Sequence, residues 1–178
     1  YKLLFFREVV IVGIEVIRID DRLIHGQIVQ GWLKTVFVNR ILVVSNEVAN
    51  DEMQQALLSM AMPSTVELSI RNIKDASYEI INNVYDNEKV MILFSNPCDI
   101  VKMIENGVKF NSVNVGGMHF VHGKKQLLSN VSVDSNDIRA FMKMISCGIE
   151  LESRILPNDE RHNISDTIKK EAKNLNLD

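Results

Sequence analysis

One segment near the start of the chain carries residue types that can do chemistry: Arg18-Ile19-Asp20-Asp21-Arg22-Leu23-Ile24-His25-Gly26-Gln27-Ile28-Val29. Residues 14–19 are mostly apolar and read as a strand. From Gly26 onward Ile28, Val29, Trp32 and Val36 recur at helical spacing, so the polar stretch between is a strand-to-helix loop. His25 falls where the helix begins. Unpaired N–H groups at such an end favour an anion, Arg22 supplies a planar cationic fork three residues earlier, and Gly26 lets backbone approach a ligand closely. These are the parts needed to hold a phosphoryl group beside an imidazole. An unperturbed histidine titrates near neutrality, so His25 can attack phosphorus while Arg22 and the N–H groups near Gly26 and Gln27 take up charge on the phosphoryl oxygens. Asp20 or Asp21 could accept a hydrogen bond from the second ring nitrogen and fix its tautomer; capping the loop or helix start is an equal use for either.

The rest of the chain alternates short apolar strands with amphipathic helices. Residues 41–45 read as a strand buried on both faces, and Asn50 is placed to cap a helix that runs through Met62 to Pro63. Strand 66–71, helix 73–84 and strand 90–94 follow. Asn96 and Pro97 open the next helix and Gly107 closes it. A short strand over 113–115, a loop with Gly116-Gly117 and a strand within 127–133 come next. Asp134 or Ser135 starts a helix ending at Gly148, and residues 149–156 form the last strand. This order predicts an α/β fold, a three-layer α/β/α sandwich with a mainly parallel sheet of about six or seven strands. In such sheets ligands gather at the carboxyl ends of the strands. The segments Ser45-Asn46-Glu47, Ser95-Asn96-Pro97 and Gly116-Gly117-Met118-His119 should therefore reach the same rim as His25.

Composition limits the alternatives. The chain has 178 residues, 46% hydrophobic and 24% charged, enough for one domain with its own core. A net charge of -3 and no concentrated basic tract leave no electrostatic footprint for nucleic acid, although Lys124-Lys125 could make a local contact. Cys98 and Cys147 lie in apolar helical patterns without metal-ligand spacing, which predicts buried free thiols in a reducing compartment, and no metal centre. Residues 1–13 are apolar but interrupted by Arg7 and Glu8, too short for a membrane span and poor as a signal peptide. They are expected to be a non-native or upstream extension, with Val12 as a candidate start; an edge strand or packed arm is the structural alternative. Residues 14–178 are expected to form a single domain.

The run from Arg18 to Gln27 resembles the phosphorylation loop of the mannose/fructose/sorbose class of enzyme IIB, the sugar-specific phosphocarrier of the bacterial phosphotransferase system. Asn39-Arg40-Ile41-Leu42-Val43-Val44 followed by Asn46-Glu47-Val48-Ala49-Asn50-Asp51, and Asn114-Val115-Gly116-Gly117-Met118-His119, are similar to two further segments of that family. The resemblance implies a cytoplasmic transferase, associated peripherally with a membrane permease and needing no bound cofactor. It implies that Nδ1 of His25 receives a phosphoryl group from enzyme IIA and passes it to a sugar held by the membrane components IIC and IID. Gly116, Gly117 and His119 become candidate site-lining residues; His122 and His162 read as surface or structural, and Trp32 as core. Two rivals are a regulatory histidine phosphoprotein and an α/β module holding a static phosphate ligand. Against the latter, the chain has neither a Walker-type loop nor a dinucleotide glycine fingerprint. Which sugar is carried is not written in this chain.

Overall fold

The computed structural model describes residues 13–177, so the extension expected at residues 1–13 lies outside the described residues except for Gly13. The described elements are β1 (Ile14–Asp20), α1 (a π-helical turn, Gln27–Trp32, continued as α-helix over Leu33–Thr35), β2 (Arg40–Val44), α2 (Glu52–Ala61), β3 (Glu67–Arg71), α3 (Ile73–Ile81), β4 (Val90–Phe94) and α4 (Pro97–Glu105). They continue with β5 (Ser112–Gly117), β6 (Lys125–Leu128), β7 (Val131–Val133), α5 (Ser135–Ser146), β8 (Glu150–Ser153), β9 (His162–Asn163) and α6 (Ser165–Asn174).

Seven strands form one sheet in the order β3-β2-β4-β1-β5-β8-β9, all parallel except β9, which runs antiparallel to β8 at the edge. The unbroken apolar runs take interior places because both of their faces are covered. Alternate residues of β2 and β4 serve two cores: Ile41, Val43, Met91 and Leu93 pack with Ile28 and Trp32 of α1, whereas Leu42, Val44, Ile92 and Phe94 pack toward α3, α4, α5 and α6. The result is the expected three-layer sandwich. Helix ends follow local chemistry. The side chains of Asn72, Asn96 and Asp134 each accept a backbone N–H three residues on, and Gly107 and Gly148 take the positive φ that ends α4 and α5.

Several elements differ from the sequence reading. The cap of α2 is Asp51, whose side chain accepts from Gln54 N–H; Asn50 ends a 3₁₀ turn instead. Helix α3 stops at Ile81, and Asn83 adopts a left-handed conformation two residues later. The stretch 127–133 is two strands, β6 and β7, in an antiparallel hairpin turning at Ser129 and Asn130. Gly116 and Gly117 lie inside β5, not in a loop. The last strand is not 149–156: β8 ends at Ser153, and β9 and α6 follow. Cys147 is exposed and Cys98 half-buried, so the expected buried thiols are not found; both are free. Cys147 is displaced outward because it caps the end of α5, where the core-facing stripe has already ended at Met144.

Although mostly polar, α6 buries Ile168 and Ala172 completely against the core. Ile168→Ala should cost about 2–5 kcal/mol in urea unfolding. A loss under 1 kcal/mol, roughly that of an exposed site, would mean α6 is not docked.

Candidate functional site

Because β1 alternates, Val16, Arg18 and Asp20 point to the α1 side of the sheet, the face that also carries Met91 and Leu93. An arginine and an aspartate placed there must satisfy each other. Both are fully buried, and Arg18 Nη2 donates to Asp20 Oδ2 at 2.8 Å. Arg18 Nη1 donates to Asn114 Oδ1 and to the carbonyl of Arg154. Asn114 in turn donates to Glu152 Oε1 at 3.0 Å, which also receives Arg154 Nε at 3.1 Å. The guanidinium carbons of Arg18 and Arg154 lie 5.0 and 5.1 Å from the centre of the Trp32 ring, within cation–π range. Trp32 is thus core, as expected, but core against two cations.

The glycine pair makes room for this ion pair. Ile19 is paired with Val115 and Asp20 with Gly117, so Gly116 is the extra residue of a bulge in β5. A Cβ at position 116 would lie 1.8 Å from Arg18 Cζ, and one at position 117 would lie 3.2 Å from Asp20 Oδ1.

Asp20 connects the buried network to the loop. Its Oδ1 accepts Arg22 Nε at 3.2 Å, and its Oδ2 lies 3.0 Å from His25 Nε2, at an angle too oblique for a regular hydrogen bond. Burial alone would push the Asp20 carboxyl up, but Arg18 and then His25 outweigh it, and the group is held below the ordinary carboxylate range. On the other side of the ring, Nδ1 of His25 faces the Gln27 N–H at 3.4 Å. Arg22, half-exposed, spans from Asp20 to Gln27 Oε1 at 2.9 Å. The alternatives left open between the two aspartates separate here: Asp21 turns away, and its carboxylate receives the His119 backbone N–H and faces His119 Nδ1, both at 2.6 Å.

Two local departures set the loop. Leu23 has φ of 56°, a costly conformation for a leucine, held by burial of Leu23 and Ile24 and by the Leu23 N–H to Asp20 carbonyl bond at 2.9 Å. His25 lies just before Gly26, the residue at the N-terminal end of α1, whose opening turn is π-helical, a form frequent at functional sites.

The rim assembles as the topology dictates. The chain leaves β1 toward β2 and leaves β5 toward β8 on the other side, which makes the crevice between β1 and β5 a switch point. Gly116, Gly117 and His119 border a cavity there together with Arg22 and Gln27, while Ser45, Glu47 and Ser95 line another beside Asp21 and Arg22. Gly26 has open space around it. His122 and His162 are exposed. Sequence reasoning gave no role to Arg18, Asn114, Glu152 and Arg154. The one available signal was Arg18 itself, a charge at a core position of an apolar strand. Among the described residues no cluster of His, Cys, Asp and Glu is arranged to hold a metal ion, and no helix is long and apolar enough to cross a membrane.

Comparison with known proteins places this geometry in a context. Residues 14–178 match the family model described as the sorbose subfamily IIB component of the phosphotransferase system. The chain is 46% identical over 153 residues to the mannose-specific EIIAB component of Escherichia coli strain K12, covering 86% of this chain and 47% of that protein. It therefore spans about half the length of that relative. It is 43% identical to the fructose-specific EIIB component of Bacillus subtilis strain 168, over 80% of this chain and 87% of that one. The crystal structure of the IIBSor domain of the sorbose permease from Klebsiella pneumoniae superimposes with a TM-score of 0.83 at 38% identity, covering 89% of this chain and 98% of that one.

Two outcomes follow from the buried pair. Gly116→Ala forces a methyl into the Arg18 guanidinium and should destabilise by about 1–3 kcal/mol in urea unfolding. Gly117→Ala, whose Cβ would lie 3.2 Å from Asp20 Oδ1, a tight contact but far less severe than the 1.8 Å overlap at 116, should cost less; equal losses would show that Arg18 is not held there. Because the folded Asp20 carboxyl is depressed, its stabilisation is complete above its unfolded pKa, about 4, and is lost as pH falls through the lower folded value. The stability gap between the wild-type chain and Asp20→Asn should be widest near neutrality and narrow below about pH 4; a gap independent of pH would contradict a charged Asp20.

Proposed function

The chain belongs to the sorbose subfamily of phosphotransferase-system IIB components, and on that basis we propose that it is a sugar-specific phosphocarrier with His25 as the phosphorylated residue. The observation that carries this reading is the placement of one imidazole between a buried carboxylate at Nε2 and a backbone N–H beside Nδ1, on a strained loop at the switch point. Asp20 favours the tautomer with its proton on Nε2, which leaves the lone pair on Nδ1 as the nucleophile. A phosphohistidine on enzyme IIA supplies the phosphoryl group. The new N–P bond forms at Nδ1 as the donor's N–P bond breaks, and the donor nitrogen keeps the electron pair. Arg22 already holds Gln27 and Asp20, and its guanidinium, together with the Gln27 N–H, is positioned to take the charge on the phosphoryl oxygens. Gly26, with open space around it, leaves the approach clear.

The onward acceptor is a sugar presented by the membrane components IIC and IID, which places the protein at the cytoplasmic face of that permease. Both exchanges require protein surfaces that reach the same histidine. Beside the loop, α2 leaves Met53, Leu57 and Met60 exposed and buries none of its side chains fully, an adaptable apolar surface of the kind that meets other proteins. The reaction uses no resident cofactor.

Incubation with phosphoenolpyruvate, the general phosphotransferase proteins and a matching enzyme IIA should add one acid-labile phosphoryl group to His25, read by intact mass and site mapping. His25→Ala should fold and accept none. Arg22→Ala should accept the group on the order of 100-fold more slowly, as for loss of one oxyanion donor. No modification of a folded target by an active donor would instead favour static phosphate binding, and modification at another residue would remove His25 from the mechanism.

A further inference from the structure

Glu152 is a buried carboxylate on β8, two strands away from the one that leads to His25. It completes a row across the sheet. Arg18 of β1 is paired with Asn114 of β5, and Asn114 with Glu152, so the three side chains stand abreast on the α1 side. Their contacts follow from what each group can do. An ionised carboxylate only accepts, so Asn114 Nδ2 turns to Glu152 Oε1 at 3.0 Å and to the Arg154 carbonyl at 3.2 Å. The amide oxygen is thereby left toward Arg18 and accepts from Nη1 at 2.5 Å. Arg18 Nη2 then holds Asp20 Oδ2 at 2.8 Å, and that same oxygen lies 3.0 Å from His25 Nε2. An amide turned the other way would set its donors against those of the guanidinium. Charge reinforces the row. Asp20 already serves both Arg18 and Arg22, and Glu152, 3.1 Å from Arg154 Nε, is the anion that answers Arg154, the second guanidinium over the Trp32 ring. Burial pulls the Arg18 guanidinium down, and Asp20 and then Glu152 oppose that pull. Without the Glu152 charge, Arg18, Arg22 and Arg154 would all draw on Asp20.

We propose that Glu152 is a positioning residue for His25: it turns the Asn114 amide so that Arg18 holds Asp20 Oδ2 against Nε2, which keeps the ring proton there and leaves Nδ1 free to attack. The inference rests on His25 as the carrier and adds a role for a side chain on a different strand from the reacting loop. The ring proton is sensitive to this chain of contacts because the approach of Asp20 is oblique. His25 Nε2 is buried and has no regular hydrogen bond among the described residues, so a small turn of the carboxylate decides whether the proton meets Oδ2. Arg18 limits that turn, and the row limits Arg18. The rival use of Glu152, a counter-charge that merely keeps Arg154 in place, predicts no effect on the imidazole; Arg154 has a separate anchor in the Pro157 carbonyl.

Two measurements on the whole chain test this. NMR of the isotope-labelled imidazole nitrogens, about two pH units above an ordinary histidine pKa of about 6.5, reads the tautomer of His25, whose signals are assigned by their loss in His25→Ala. Rapid-quench transfer from phosphorylated enzyme IIA reads the rate constant at saturation separately from the half-saturating donor concentration. In the wild-type chain the proton should reside on Nε2. Glu152→Gln, which keeps the volume and removes the charge, should raise the Nδ1–H fraction. It should also slow saturated transfer about tenfold, the low end for a contact that orients a functional histidine, with the half-saturating concentration unchanged. Ile168→Ala, which loosens the core at α6, is the control for stability and should alter neither tautomer nor rate. Asn114→Leu carries the same expectation as Glu152→Gln and takes its place if that chain does not fold. A wild-type ring protonated on Nδ1, or a wild-type tautomer and rate in folded Glu152→Gln, would overturn the proposal and leave His25 as the carrier. Equal slowing in Ile168→Ala would overturn it too, since lost stability would then account for the effect. Failure of wild-type His25 to be phosphorylated by an active donor would overturn the carrier reading, and the positioning role with it, whichever tautomer is found.

Discussion

The ion pair between Arg18 and Asp20 is the constraint on which the site depends. Two charges without solvent access carry a desolvation cost of several kcal/mol each, recovered only where geometry and further hydrogen bonds are good. The surroundings show what recovery requires here. Asn114 and the Arg154 carbonyl take the other side of the Arg18 guanidinium, Trp32 offers it an aromatic ring, and β5 gives up a side chain at 116 and adds a bulge. Desolvation pulls the Arg18 pKa down while Asp20 opposes that pull, and the reciprocal effect keeps Asp20 ionised. An apolar pair in the same places would pack more cheaply. What it would not supply is a fixed negative charge, without solvent access, 3.0 Å from an imidazole.

That charge explains why the loop can be strained. Asp20 is the last residue of β1, held by the sheet on one side and by Arg18 beneath, so the turn that follows starts from an immobile point. The left-handed Leu23 and the π-helical start of α1 are each unfavourable alone. Both are tolerated because Leu23, Ile24, Ile28 and Trp32 anchor the segment in the core between α1 and the sheet. His25 is therefore positioned from two directions, by a buried charge at Nε2 and by the helix start at Nδ1.

The sequence made the periodic parts of this arrangement legible. Strand β4 was read residue for residue, and the cap at Asn96, the start of α5 at Asp134 or Ser135, and the closing Gly107 and Gly148 were visible because each depends on one side chain and its neighbours. Features that depend on distant residues were not. Gly116-Gly117 reads as a turn, since nothing local shows that Arg18, nearly one hundred positions earlier, occupies the space of the missing side chain. Helix α6 is mostly polar, and its few apolar residues gain meaning only once α5 and β8 are in place to receive them. Asn50 and Asp51 are both good caps, and the choice between them is made by the preceding 3₁₀ turn. At the site, the loop histidine and arginine were evident from type and spacing, but the second layer, Asn114, Glu152 and Arg154, comes together only through the pairing of β1, β5 and β8.

Adjacent aspartates illustrate how that pairing divides labour. Asp20 and Asp21 are indistinguishable in composition, yet one ends the strand and points into the core, and the other begins the turn and points outward. The strand's period decides it: Asp20 shares a face with Arg18, and Asp21 does not. Asp21 instead clasps His119 by backbone and ring, joining the end of β5 to the loop across the crevice from above, as the bulge joins them from below. The crevice is therefore closed at two levels by bonds between the same two strand ends. A group entering it meets rigid walls on the loop and hairpin sides, and the reacting histidine sits at the one edge where backbone strain, helix end and buried charge coincide.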